Sequence, residues 1–207
     1  MHITATLNEL EFLMSSVHPP AFLQIGNGMP LDDIRRTVKA YEPLLQPAGI
    51  DFPFELIELF HWHNGSNREE NVGAVELLNL EEAMATWQAL VTAIDTEFTV
   101  ENWYFPSWIP FAKVYSDWFL CIDAAGVAGG PRGQIVEFRR DNPTRVISAL
   151  SMREWFEEVV ENYEDEEPIR ENGIAFGDEG EDGLWDYDPD DAPEGPNCYI
   201  RHFEAGA

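Results

Sequence analysis

The first half of the chain repeats apolar residues at the spacing of α-helices. Leu7, Leu10 and Met14 predict the first of them, and Asn79 followed by Glu82 is a capping box that predicts the start of another. We expect helices over about 3–17, 32–43, 53–63 and 79–91. A short strand is expected over 72–78, and an aromatic-rich loop over 98–107.

From Trp108 onward the pattern changes to that of β-structure. Strands are expected over 108–114, 118–123, 133–139 and 145–150. Trp118 to Ile122 is apolar at successive positions, which predicts a central strand buried on both faces. Ser151 with Glu154 predicts a capped final helix whose outer side is acidic.

Beyond Asp165 the periodicity is lost, and Gly, Pro and acids dominate. The chain carries 39 acids and 12 Lys or Arg, a formal net charge of −27. Between Glu154 and Glu194 there are 18 acids and one base, Arg170. Such a field repels nucleic acid and anionic lipid and attracts basic proteins, so we expect a basic protein partner and no nucleic-acid binding. Charge runs also serve solubility alone, and the sequence leaves that alternative open.

Hydrophobic residues make up 44% of the 207 residues and aromatic residues 13%, which is enough for a real core. We expect one domain with appendages. No apolar stretch resembles a signal peptide or is long enough to span a bilayer, so a cytoplasmic protein without membrane association is expected. Cys121 and Cys198 form no metal or redox motif, and no cofactor is expected.

Metal binding and acid catalysis are each conceivable at one position in the sequence, but a structural role is favoured at both. His61 and His63 are two residues apart on a predicted helix, so they point about 200° apart and cannot readily share a metal ion. Asp123 ends the apolar strand, where a hydrogen-bonding structural role is favoured over that of a catalytic acid.

The run of Asp186, Asp188 and Asp190 has the alternating carboxylates of a calcium loop. The pattern then fails twice, because Asp191 stands where Gly is required and Asn197 where a bidentate Glu is required. No dedicated metal site is therefore predicted.

Five motifs occur in a distinctive order. They are a Phe52-Pro53 helix start ending at Asn64-Gly65, a Trp108-Ile109-Pro110 strand, an apolar strand ending at Asp123, a Gly133-Gln134-Ile135 strand and a Ser151-capped helix. Their order and spacing resemble the SUKH superfamily, which includes fungal cell-wall assembly regulators and bacterial immunity proteins. The resemblance covers roughly residues 34–164.

The resemblance implies an α+β fold, with a mixed, largely antiparallel sheet flanked by helices and an acidic C-terminal extension. It divides the chain into an N-terminal helical extension (1–33), the SUKH-like domain (34–164) and an acidic, Gly/Pro-rich extension (165–207). Bacterial members commonly neutralise a cognate toxin, often a nuclease, by binding it.

The leading hypothesis is a non-enzymatic immunity protein that neutralises a basic, nuclease-type toxin. A regulatory scaffold without a toxin and, less favoured, a hydrolase using Asp117 and Asp123 are the alternatives. Aromatic residues among acids are typical of interfaces. The candidate partner-binding residues are Trp185, Asp186, Tyr187, Asp188, Asp190, Asp191, Asp117 and Trp118.

Overall fold

In the computed structural model, the residues described are 2–17, 25–66, 72, 75–94, 96–98, 102–142 and 144–164, together with the backbone of 169–170, 173–174 and 199–202. These residues form five helices: α1 (Thr4–Val17), α2 (Leu31–Leu45), α3 (Phe54–Trp62), α4 (Leu80–Ala93) and α5 (Met152–Glu164). Their strands are β1 (Glu76–Leu77), β2 (Trp108–Tyr115), β3 (Trp118–Asp123), β4 (Gln134–Arg139), β5 (Thr144–Ala149), β6 (Ile169–Arg170), β7 (Gly173–Ile174) and β8 (Tyr199–His202).

The main sheet has the order β1-β2-β3-β4-β5, and each of these pairings is antiparallel. The backbone of β8 pairs antiparallel with β5 at the far edge, and β6 pairs with β7 separately. The predicted α+β fold with a largely antiparallel sheet flanked by helices is therefore confirmed. β3 lies between β2 and β4, with Phe119 to Ile122 buried, as its continuous apolar run predicts, whereas Trp118, the first residue of that run, is half-buried.

Two apolar clusters occupy the two faces of the sheet. The larger cluster lies between the sheet and the helices, where Leu120, Ile122 and Ile135 pack with residues of all five helices. Phe60 of α3 is fully buried in it. α1 belongs to the same cluster, because Ile3, Leu7, Leu10 and Met14 are at most 1% exposed.

The second face of the sheet is covered by the aromatic loop that precedes β2. Tyr104 packs edge-on against Phe138, with ring centroids 4.9 Å apart. Arg145 of β5 is 1% exposed; its Nη2 donates to the Trp103 carbonyl at 2.6 Å, and its guanidinium lies 4.7 Å from the Phe138 ring centroid. Burial lowers the pKa of Arg145 to about 10. Arg145 thus fastens the loop to the sheet.

Local sequence signals predicted some ends of the helices and strands correctly and others incorrectly. The predicted capping box is present: Asn79 Oδ1 accepts from the Glu82 N–H at 2.9 Å, and Glu82 Oε2 accepts from the Asn79 N–H at 3.2 Å. α2 runs past the predicted end at Pro43 to Leu45, and the Gln46 N–H still donates to the Glu42 carbonyl. The predicted strand over 72–78 is reduced to Glu76–Leu77, preceded by a bridge between Val72 and Val75.

Candidate functional site

At one end of the sheet, the face that packs against the helices carries aromatic and charged side chains instead of aliphatic ones. Along β3, Ile122 and Leu120 of this face are buried, and the next residue on it, Trp118, is half-buried. Trp118 pairs with Tyr115 on one side and with Arg139 on the other. We call Tyr115, Asp117, Trp118, Glu137, Arg139 and Ser148 the hairpin patch.

The aromatic rings and the cation of the hairpin patch are stacked. The guanidinium of Arg139 lies 3.6 Å from the centroid of the Trp118 ring, a cation–π arrangement. The Tyr115 ring, with its centroid 5.7 Å from that of Trp118, continues the apolar surface, and Tyr115 is 51% exposed. Trp, Tyr and Arg are the residues most enriched in the energetic centres of protein interfaces.

The carboxylate of Glu137 stands beside the stack. Its Oε2 is 3.9 Å from Arg139 Nη2, and its Oε1 accepts from the Ser148 hydroxyl at 2.9 Å. The side chain is 20% exposed. Burial raises the pKa of Glu137 above its ordinary value, and the Ser148 hydrogen bond, the Arg139 charge and the Trp118 side chain offset part of that effect. Glu137 is therefore a mostly buried carboxylate at the edge of the stack, with Ser148, Arg139 and Trp118 as its polar neighbours.

The structure brings together only two of the residues expected to bind a partner. Asp117 is exposed in the β2–β3 turn, where its carbonyl accepts from the Arg140 N–H at 2.9 Å, and Trp118 follows it. The remaining ones lie outside the described residues: Trp185, Asp186, Tyr187, Asp188, Asp190 and Asp191. The sequence reasoning missed Tyr115, Glu137 and Arg139. The period-two alternation of β4, which puts Ile135, Glu137 and Arg139 on one face, was the available signal.

The outer surface of α5 adds an acidic stripe next to the sheet. Glu154, Glu158 and Glu161 follow one another at i, i+4 and i+7, so they share one side of the helix. Burial, and then the charges of Glu161 and Glu154, raise the pKa of Glu158. Arg153, the only basic residue of α5, donates to Glu157 at 2.6 Å instead. The neighbouring carboxylates of the stripe therefore repel one another.

Asp123 is a structural residue in this fold. It is fully buried, and its two carboxylate oxygens accept five hydrogen bonds at 2.9–3.2 Å. The donors are Ser107 Oγ, Gln134 Nε2 and the N–H groups of Ala125, Gly126 and Ala128. Asp123 thus organises the loop between β3 and β4, in agreement with the structural interpretation.

Asp117 and Asp123 do not form a catalytic pair. They lie at opposite ends of β3, six residues apart, which is about 20 Å along an extended strand. No pocket can therefore hold both carboxylates.

The imidazoles of His61 and His63 both contact backbone carbonyl oxygens. His61 Nδ1 lies 2.9 Å from the Met29 carbonyl oxygen, and His63 Nδ1 lies 2.6 Å from that of Gly26. Both contacts hold the segment before α2 against the end of α3. Among the described residues, no group of three or more His, Cys, Asp or Glu side chains is placed to hold a metal ion.

Residues 37–158 match the model of the SMI1 / KNR4 family (SUKH-1), which is more than half of the chain. None of the curated proteins matches it. No helix within the described part of the chain has both the length and the apolar character needed to cross a membrane.

Proposed function

The chain belongs to the SMI1 / KNR4 family (SUKH-1), and on that premise we propose that it is a non-enzymatic module that binds a basic protein. The specific form of this proposal is a cytoplasmic immunity protein that neutralises a nuclease-type toxin. The resemblance to bacterial SUKH proteins motivates that form.

The observation that carries the proposal is the combination of a fixed acidic stripe with an exposed aromatic patch. The stripe on α5 carries three carboxylates, and residues 165–207, which follow it in the sequence, bring 14 acids and two bases. Long-range attraction of this kind raises the association rate of basic proteins. The Tyr115–Trp118 surface then offers the apolar contact that slows dissociation.

A nuclease fits this surface because its own substrate is a polyanion. The groove that binds phosphates must be lined with Lys or Arg, so an acidic protein can occupy it in place of nucleic acid. A regulatory scaffold of the same family would also use the hairpin patch, but it would not need so strong a negative field. The proposal therefore ranks the scaffold second.

Affinity purification from the source cell, with the full chain as bait, tests the proposal. We expect a retained protein with a basic isoelectric point that elutes as salt is raised. If that protein degrades nucleic acid, an equimolar amount of the chain should stop the degradation. A basic partner whose activity is unaffected would favour the scaffold. Partners that are neutral or acidic and indifferent to salt would contradict both forms of the proposal.

A further inference from the structure

We propose that the hairpin patch is a receptor for an arginine side chain of the basic partner, and that Arg139 holds the place of that arginine in the free protein. This inference rests on the proposed function, because it names the chemical group by which the basic partner would be held. It also assigns opposite roles to two neighbouring charged residues, which an experiment can separate.

The hairpin patch contains both parts of a guanidinium site. An indole face accepts the flat cation by stacking, and a neighbouring carboxylate accepts its N–H donors. Arg139 uses the first part, at 3.6 Å from the Trp118 centroid. Its Nη2 remains 3.9 Å from Glu137 Oε2, beyond the 2.7–3.2 Å typical of N–H···O hydrogen bonds. The Glu137 carboxylate can therefore be paired better than Arg139 pairs it.

Displacing Arg139 costs its stacking contact with Trp118 and its long ion pair with Glu137. Its side chain is 26% exposed and reaches the ring from the adjacent strand. Cation–π contacts are weak at exposed positions and stronger when desolvated, and Arg139 lies between these limits. A partner's arginine can stack on the Trp118 or Tyr115 ring and also form two hydrogen bonds with the Glu137 carboxylate. Arg139 makes the stacking contact but not these hydrogen bonds.

The group that binds the hairpin patch is expected to carry a positive charge. Arg139 could instead bind a carboxylate of the partner. Residues 1–164 carry 25 acids and 10 Lys or Arg, and Asp117 of the hairpin patch is exposed. An anion would have to approach against this field, whereas a cation is drawn in. Lysine fits less well, because its ammonium neither stacks as a plane nor offers two parallel donors.

The test uses the full chain, labelled with ¹⁵N, and two acetylated, amidated peptides: hexa-arginine and hexa-lysine. The indole N–H signal of Trp118 is assigned from the spectrum of Trp118→Phe. We expect hexa-arginine to shift this signal in a saturable manner at low salt, and hexa-lysine to shift it much less. Glu137→Gln, which is close to isosteric, should remove most of the shift.

Arg139→Gln is the decisive variant, because the two roles of Arg139 predict opposite results. If Arg139 is a placeholder, the variant should bind hexa-arginine at least roughly threefold more tightly at the Trp118 signal, since a competing cation is gone. Arg153→Gln removes one positive charge from α5 and is the matched control; its affinity should change much less. Unchanged or weaker binding by Arg139→Gln would overturn the inference.

Two other outcomes separate this inference from the proposed function. If hexa-arginine binds but leaves the Trp118 signal unchanged at saturation, the arginine receptor is refuted while binding of basic partners stands. If neither peptide binds anywhere at low salt, the electrostatic basis of the proposed function fails as well.

Discussion

Replacing Asp123 by Asn should destabilise the fold strongly, although the two side chains have almost the same shape. Oδ1 accepts three hydrogen bonds and Oδ2 accepts two, from the Ala128 N–H and from Gln134 Nε2. An Asn amide group in the Oδ2 position would face both of those donors. Gln134 can rotate its own amide to accept from Asn, but the Ala128 N–H cannot turn away.

The expected loss follows from the cost of buried donors without acceptors, about 1–3 kcal/mol each. With one donor lost outright and a second bond remade in poorer geometry, we expect a loss of about 2–4 kcal/mol in the free energy of unfolding. For a chain of this length that corresponds to a fall of roughly 5–15 °C in Tm. Urea unfolding followed by tryptophan fluorescence measures it, provided that the slope against urea is unchanged.

Asp117→Asn is the matched control, because Asp117 flanks the other end of β3 and is exposed. This substitution should change the free energy of unfolding by no more than about 0.5 kcal/mol. If Asp123→Asn costs no more than this control, the five hydrogen bonds do not hold the loop, and the structural role assigned to Asp123 is wrong.

Two further predictions concern the helices. Phe60→Ala should cost about 3–5 kcal/mol in urea unfolding, because Phe60 is fully buried in the larger cluster, whereas Phe12→Ala, at a position 70% exposed, should cost under about 1 kcal/mol; equal losses would contradict this packing. Burial raises the pKa of Glu58, but hydrogen bonds from Thr4, the Ile3 N–H and His2 outweigh it and hold the pKa below its ordinary value. The stability that Glu58 supplies is thus complete above about pH 4.3 and is lost as pH falls through the lowered folded-state pKa. Glu58→Gln should flatten that part of the profile of unfolding free energy against pH, and an unchanged slope would contradict the assignment.

The features that sequence reasoning found depend on residues close together in the chain. The Asn79–Glu82 capping box spans four residues, and the burial of β3 follows from its own apolar run. Pro43 misled the prediction of the end of α2. It lies in the last turn, so it removes one helical hydrogen bond, to the Lys39 carbonyl, and the helix ends two residues later at Leu45, which is buried.

The features that sequence reasoning missed depend on contacts between distant segments. Glu58 holds the start of α1 from more than 50 residues away. Arg145 reaches a carbonyl 42 residues before it. The hairpin patch needs the register of β3 against β4, which sets Arg139 beside Trp118. No local pattern specifies such pairings, so the predicted partner-binding residues included Asp117 and Trp118 but not Tyr115, Glu137 or Arg139.

The most direct test of the account is the association rate of the purified partner with the full chain at about 0.05 M and about 0.3 M salt, where screening lengths differ more than twofold. We expect the rate to fall at least roughly tenfold at the higher salt. Converting Asp186, Asp188, Asp190 and Asp191 to Asn should also slow association at low salt, while Trp118→Ala should speed dissociation instead. An association rate indifferent to salt and to the four substitutions would contradict the claim that this protein captures its partner through negative charge.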